Sequence, residues 1–246
     1  GVIADFTTQV APMVPAIVVH ITNEVEKRGL TETGIYRIPG SEKEVKALKD
    51  QFLRGKGMPN ISQTCVHTLC GTLKDFLRSL KESLVTHLHW KDFVRAVEDP
   101  EDSQAALYQV ITDLPQPNRD TIAWIITHLQ RVAECPDCKM PASNLAKVFG
   151  PTLVGYSVAE PEAAVMFAET KLQQMVMEGL LNISSEYWST FINIQDENLY
   201  PGTKPTPENA LSTNRKSSIT GGRRRSILMR TPLTVRDTPG SKHSRK

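Results

Sequence analysis

Between about residues 15 and 195 the apolar side chains recur at three- and four-residue intervals, segment after segment, and no convincing stretch alternates apolar with polar. An α-helix has 3.6 residues per turn, so this spacing collects the apolar residues on one face, whereas a half-buried strand would need a period of two. The first such segment is 15–28, with Ile17, Val18, Ile21 and Val25 on one face, Pro15 at its start and Gly29 at its end. The stretch 42–54 carries Val45, Leu48, Phe52 and Leu53, and 65–80 carries Val66, Leu69, Leu73, Phe76, Leu77 and Leu80. Helices are also predicted at 87–98, 103–113 and 119–134, the last with Asn118 as N-cap and Ile122, Ile125, Ile126, Leu129 and Val132 inward. Segments 141–150, 161–182 and 185–194 follow, and Tyr187, Trp188 and Phe191 in the last close the core. Residues 1–14 read as an extended lead-in. The body is expected to be all-α.

The first two helices are separated by Gly34-Ile35-Tyr36-Arg37-Ile38-Pro39-Gly40. Glycine tolerates positive φ, and proline fixes φ and lacks an N–H, so neither helix nor central strand should cross this segment. Ser41-x-x-Glu44 then offers a capping box for the next helix, which anchors the loop on its downstream side. Arg37 therefore sits on a rigid turn. Two readings of it are open: a guanidinium holding local carbonyls or an acidic neighbour, or a planar, permanently charged fork presented to an anionic oxygen or phosphoryl group. Lys74 and Arg78, four residues apart, share a helix face and read either as a solvated surface or as a cationic pair available to a partner. Asp75 is not at the spacing that would neutralise either within the helix.

Charge is divided unevenly along the 246 residues. From Pro201 onward there are eleven Lys/Arg against two Asp/Glu, a net of +9, which leaves −7 for residues 1–200. An acidic body argues against a nucleic-acid-binding fold. No apolar run approaches the roughly 20 residues that span a bilayer, and no signal peptide opens the sequence, so a soluble, intracellular protein is expected. Cys135-Pro136-Asp137-Cys138 has the spacing of a redox motif or zinc half-site, and Cys65 and Cys70 could complete a set of four. Against that, Cys70 lies on an apolar helical stripe and the Cys135 pair lies between helices without a βαβ context, so no metal site is expected. His87 and His89 diverge by about 200° on a helix and do not converge as ligands; the histidines read as surface or half-buried.

Past about Asp196 the composition turns to Pro, Ser, Thr, Gly, Lys and Arg, too poor in large apolar residues to offset chain entropy. Residues 196–246 are expected to be a disordered basic tail. Ser226 after three arginines, and Thr231 and Thr238 before prolines, are candidate phosphorylation sites for kinases acting on the tail.

Four ordered stretches carry a specific resemblance: Gly-Ile-Tyr-Arg-x-x-Gly at 34–40, Leu-Lys-x-Phe-Leu-Arg at 73–78, Leu-Pro-x-Pro-Asn-Arg at 114–119 and Asn-Leu-Ala-x-Val-Phe-Gly-Pro-Thr-Leu at 144–153. Together they resemble the successive signatures of the RhoGAP domains, which activate Rho-family GTPases. The resemblance covers residues 1–195, with its core from about residue 10, and implies a RhoGAP-type helical bundle. It implies Arg37 as a catalytic arginine finger, Lys74 and Arg78 as residues that stabilise the finger loop and contact the GTPase, and Asn144 as an interface residue near the bound nucleotide. The partner would be Rac, Cdc42 or Rho. In detail the sequence closely resembles members working in the centralspindlin complex of dividing cells. That likeness implies centralspindlin partners bound outside this chain, and a cytoplasmic, cytoskeletal location at the spindle midzone and midbody, with the nucleus a further site. Where many members continue with Leu-Pro-x-Pro-Leu, this sequence has Leu80-Lys81-Glu82-Ser83-Leu84 and lacks both prolines.

On this reading the chain is no hydrolase by itself but supplies an arginine to one. It has no Gly-x-x-x-x-Gly-Lys-Ser/Thr phosphate loop, so no cofactor of its own is expected; GTP and magnesium belong to the partner. A non-catalytic GTPase-binding or scaffolding module regulated by phosphorylation is the alternative, and the presence of Arg37 speaks against it.

Overall fold

A computed structural model describes residues 1–99 and 101–192. Helices α1 (Ala16–Arg28), α2 (Glu42–Arg54), α3 (Val66–Arg78), α4 (Thr86–Glu98), α5 (Ser103–Asp113), α6 (Gln116–Glu134), α7 (Ala142–Phe149), α8 (Ala163–Asn182) and α9 (Ser185–Ile192) make an all-α bundle, with no strand among the described residues. Ser226, Thr231 and Thr238, with the rest of the segment read as a tail, lie outside the described residues.

The bundle is organised on α6. Ile122, Ile125, Ile126, Leu129 and Val132 are fully buried there, and α1, α7, α8 and α9 pack around the helix. The α3 stripe Leu69, Cys70, Leu73 and Phe76 is buried to the same degree and faces α1 and α2. Trp188 of α9, also fully buried, donates its indole N–H to the Leu180 carbonyl at 3.3 Å.

Several boundaries differ from the sequence reading for identifiable reasons. Helix α6 begins at Gln116, with Pro115 as its N-cap and Pro117 in its first turn, where a missing N–H costs nothing. Asn118 is therefore not the cap; its side-chain amide donates to the Leu84 carbonyl at 2.9 Å. The lead-in is not simply extended, because a 3₁₀ turn at Ile3–Phe6 buries Ile3 and sets Phe6 edge-on to Phe76 at 5.2 Å. The Ser41–Glu44 box is only half made. The Ser41 hydroxyl accepts from the Glu44 N–H at 3.5 Å, but the Glu44 carboxylate instead accepts from the Thr68 hydroxyl at 3.0 Å and ties α2 to α3.

The segment lacking the two prolines is pinned by other means. The Ser83 hydroxyl donates to the Val154 carbonyl at 2.7 Å, the Val85 N–H donates to the Leu153 carbonyl at 3.2 Å, and Asn118 holds Leu84. The turn after α3 is thus fixed by hydrogen bonds to a five-residue π-turn, Gly150–Val154, that continues α7. The sequence reading ended that segment at Gly150.

Candidate functional site: the Arg37 loop and its supports

Gly34 takes φ +74°, a region that favours glycine, and its N–H donates to the Cys138 carbonyl at 2.7 Å. The Arg37 and Ile38 N–H groups then both donate back to the Gly34 carbonyl, at 3.0 and 2.9 Å, closing a tight turn. At its far end Gly40 lies against α3 so closely that a Cβ there would come within 2.6 Å of the Thr68 backbone. Between these fixed ends Ile35 and Tyr36 are fully buried while Arg37 is exposed. Among the described residues its guanidinium makes no hydrogen bond or ion pair.

Tyr36 holds φ +65°, a left-handed conformation costing a non-glycine residue about 1–2 kcal/mol. Its ring meets Phe149 of α7 edge-on at 4.9 Å, and its hydroxyl lies 2.6 Å from His128 Nε2 on α6. His128 Nδ1 in turn lies 2.8 Å from Glu26 Oε1 on α1, and Arg131 donates to both Glu26 oxygens at 2.9 Å. A carboxylate only accepts, so Nδ1 carries the proton, Nε2 accepts, and the phenol O–H donates. Neutral His128 fits this order. Burial pushes its pKa down, and this outweighs the hydrogen bond to Glu26 that pulls it up. Burial would raise the Glu26 carboxyl, but the hydrogen bonds from His128 and Arg131 and the charge of Arg131 bring it below the usual range. Burial also carries Tyr36 well above its ordinary value, so the phenol stays protonated.

The sequence reading assigned histidines to surface or half-buried positions; His128 is only 1% exposed and is the correction. The available signal was its place on the apolar face of α6, three residues after Ile125 and four before Val132.

A pH dependence follows. Unfolded His128 takes up its proton near pH 6.5, whereas the buried ring resists it until lower pH, so this network's stabilisation is present above about pH 6.5. It is lost as the pH falls from there through the depressed folded value. We expect Tm to drop more between pH 7.5 and 5.5 for the natural chain than for His128→Gln; equal drops would assign the acid sensitivity elsewhere.

The remaining candidate residues sit on two neighbouring elements. Lys74 of α3 is half-buried, and its ammonium donates to the Tyr36 carbonyl. Burial first, then the charge of Arg78, lowers its pKa. Arg78 is exposed, with its Nε 3.3 Å from the Thr152 hydroxyl of the π-turn. Asp75, between them, pairs with Lys49 of α2 at 2.5 Å and leaves both cations free of it. The two cations are thus not equivalent: one is folded onto the loop and the other stays at the surface. Asn144, on the first turn of α7, is half-buried, and its side chain makes no hydrogen bond among the described residues. The geometry therefore gathers the Arg37 loop, the end of α3 and the α7–π-turn unit, joined through Lys74–Tyr36, Tyr36–Phe149 and Arg78–Thr152.

Other polar groups singled out in the sequence have local roles. Cys135 and Cys138 both donate to the Leu30 carbonyl, at 2.9 and 3.1 Å, and Thr33 donates to the Asp137 carbonyl at 3.1 Å, so this turn docks the upstream root of the loop. Cys70 is buried, and burial pushes its thiol up to about 12. His89 Nδ1 lies 2.9 Å from the Thr86 hydroxyl at the start of α4.

The family pattern of the RhoGAP domain matches residues 15–158, which takes in the loop, α3 and the α7–π-turn unit. The chain belongs to the RhoGAP domain family. It is 50% identical to mouse Rac GTPase-activating protein 1 over 202 residues, covering 81% of this chain and 32% of that protein. It is also 38% identical over 148 residues to the probable Rho-GTPase-activating protein 7 of Schizosaccharomyces pombe, covering 57% of this chain and 21% of that one. Among solved structures, human Rho GTPase activating protein 15 superposes with a TM-score of 0.64 at 31% identity, covering 71% of this chain and 82% of that one. The BH domain of GRAF, the GTPase regulator associated with focal adhesion kinase, gives 0.62 at 28% identity, covering 72% and 93%. The chain thus spans about a third of the mouse relative's length and less of the yeast one.

Proposed function

We propose that this RhoGAP domain accelerates GTP hydrolysis on a Rho-family GTPase of the Rac, Cdc42 or Rho type, with Arg37 entering the partner's nucleotide site. The observation that carries the reading is an exposed guanidinium, unpaired among the described residues, immediately after two fully buried residues. Such a group is held in place and is still free to bind an anion.

During hydrolysis negative charge develops on the β–γ bridging and leaving oxygens, and a guanidinium desolvated against them stabilises the transition state more than the ground state. For arginine fingers generally the gain is about 10³–10⁵ in rate, or roughly 4–7 kcal/mol. The partner supplies GTP, magnesium and the water-positioning residue. Lys74 keeps the loop in register through the Tyr36 carbonyl, while Arg78 and Asn144 face the GTPase. Single-turnover hydrolysis on Rac, Cdc42 and Rho, with and without this chain, tests the reading. Binding without acceleration would favour the scaffolding alternative.

The two cations should separate experimentally. Lys74→Ala leaves a buried carbonyl short of a donor, so we expect Tm to fall by a few degrees and the maximal rate by at least tenfold. Arg78→Ala should leave Tm unchanged and raise the Kd for the GTP-bound partner. The reverse pattern would exchange the two roles.

The 50% identity to mouse Rac GTPase-activating protein 1 supports the GTPase-activating reading; the resemblance of the motifs extends the proposal to a place in cell division, with centralspindlin partners bound outside this chain and a cytoplasmic, cytoskeletal location. Kinase action at Ser226, Thr231 or Thr238 fits the basic and proline-directed contexts of those residues. The net +9 beyond residue 200 opposes the −7 before it, so an electrostatic effect on GTPase encounter should fade above about 0.15 M salt. Removing residues 196–246 is expected to leave the maximal rate within about twofold, and a salt-independent association rate in both forms would remove any role in encounter.

A further inference from the structure

We infer that Tyr36, His128 and Glu26 act as a positioning strut for Arg37, an inference that rests on the arginine-finger reading above. Among the described residues Arg37 has no side-chain hydrogen-bond or ion-pair partner, so its location is set by its backbone, one peptide from a tyrosine in a left-handed conformation. An L-residue keeps that conformation only where its surroundings impose it.

Three contacts impose it here: the Phe149 ring edge, the Lys74 ammonium on the carbonyl, and the hydroxyl bond to His128. The third sets how deeply the ring sits, because a phenol O–H at 0% exposure must have an acceptor and His128 Nε2 is 2.6 Å away. That acceptor is itself fixed. Its other nitrogen is 2.8 Å from Glu26, which Arg131 grips through both carboxylate oxygens at the surface. The strut therefore runs from a half-exposed ion pair between α1 and α6, through the core, to the residue preceding Arg37. Removing a member lets the ring, and with it the Arg37 Cα, move against Phe149. A displacement of about 1 Å at a reacting group can cost on the order of 10²-fold in rate.

These are positioning residues, which separates them from a buried network that only stabilises the fold. A purely stabilising network would lower Tm and weaken binding and activity together, whatever stood at position 37. A strut would weaken only what Arg37 does.

The test uses Tyr36→Phe and Glu26→Ala in the full chain, each alone and combined with Arg37→Ala, at a temperature well below Tm. Each single variant should lower the maximal single-turnover rate about tenfold, with the Kd for the partner carrying a non-hydrolysable GTP analogue unchanged within twofold. Affinity for the GDP–aluminium fluoride form should fall about tenfold when Arg37 is present and less than twofold in the Arg37→Ala background. His128→Gln, which can accept from the phenol and donate to Glu26, should retain more activity than His128→Leu. An unchanged rate, a matching loss of analogue affinity, or equal losses in both backgrounds would overturn the strut. Failure of the underlying reading would show separately, as an Arg37→Ala variant with the natural rate. Glu26 is 23% exposed, so its variant carries the test should Tyr36→Phe not fold.

Discussion

Arg37→Ala is expected to lower stimulated GTP hydrolysis at least a hundredfold while the fold and the Kd for the GTP-bound partner stay nearly as they are. The exposed guanidinium makes no hydrogen bond or ion pair among the described residues, so its removal costs the folded chain little. It is assigned to charge that appears only as the γ-phosphoryl group transfers, so the loss should fall on the rate and not on ground-state affinity. Arg37→Lys should fail as well, since a point charge on a flexible stem does not reproduce a planar two-pronged donor. Single-turnover rates at saturating domain concentration check both variants, and near-natural activity in either would remove the role given to the guanidinium.

The second large effect is expected at Gly40. A Cβ there would lie 2.6 Å from both the Cα and the N of Thr68 and 2.7 Å from the His67 carbonyl carbon. All three are backbone atoms of the start of α3, which cannot swing aside as a flexible side chain would. Gly40→Ala must therefore push the loop off the helix, at about 1–3 kcal/mol of the kind seen on overpacking. Tm should fall by several degrees, and the rate should fall at least tenfold even at temperatures where the variant is folded, because the displaced end is three residues from Arg37. Thermal melts and rates measured on one preparation decide it. A stable variant with natural activity would show that the close approach is not needed.

Helices α1, α3 and α6 were legible because each carries an apolar face that the fold buries. The five α6 residues named from periodicity are all fully buried. What was lost lay in polar side chains that serve another element. Asn118 and Glu44 have the residue types and positions of caps, yet Leu84 and Thr68 claim their hydrogen bonds, and local rules cannot foresee a partner tens of residues away. The same limit hid His128, whose partners Glu26 and Tyr36 come from elements distant in the chain. At the site, two glycines and a proline were enough to place Arg37 on a turn. Its exposure depends on Ile35 and Tyr36 both facing inward, which a positive φ at Tyr36 makes possible and no residue pattern announces. Lys74 and Arg78 share a helix face at a spacing of four, but only the loop's path over α3 distinguishes the cation that holds it from the one left at the surface.

The central claim, that Arg37 acts in trans on the transferring phosphoryl group, is tested most directly by titrating the natural chain and Arg37→Ala against a Rho-family GTPase loaded with GDP and aluminium fluoride. That complex imitates the phosphoryl group in transfer, so the natural chain should bind it at least a hundredfold more tightly than Arg37→Ala does. Both should bind the form carrying a non-hydrolysable GTP analogue within a few-fold of each other. Equal affinities of the two proteins for the aluminium fluoride complex would contradict the account.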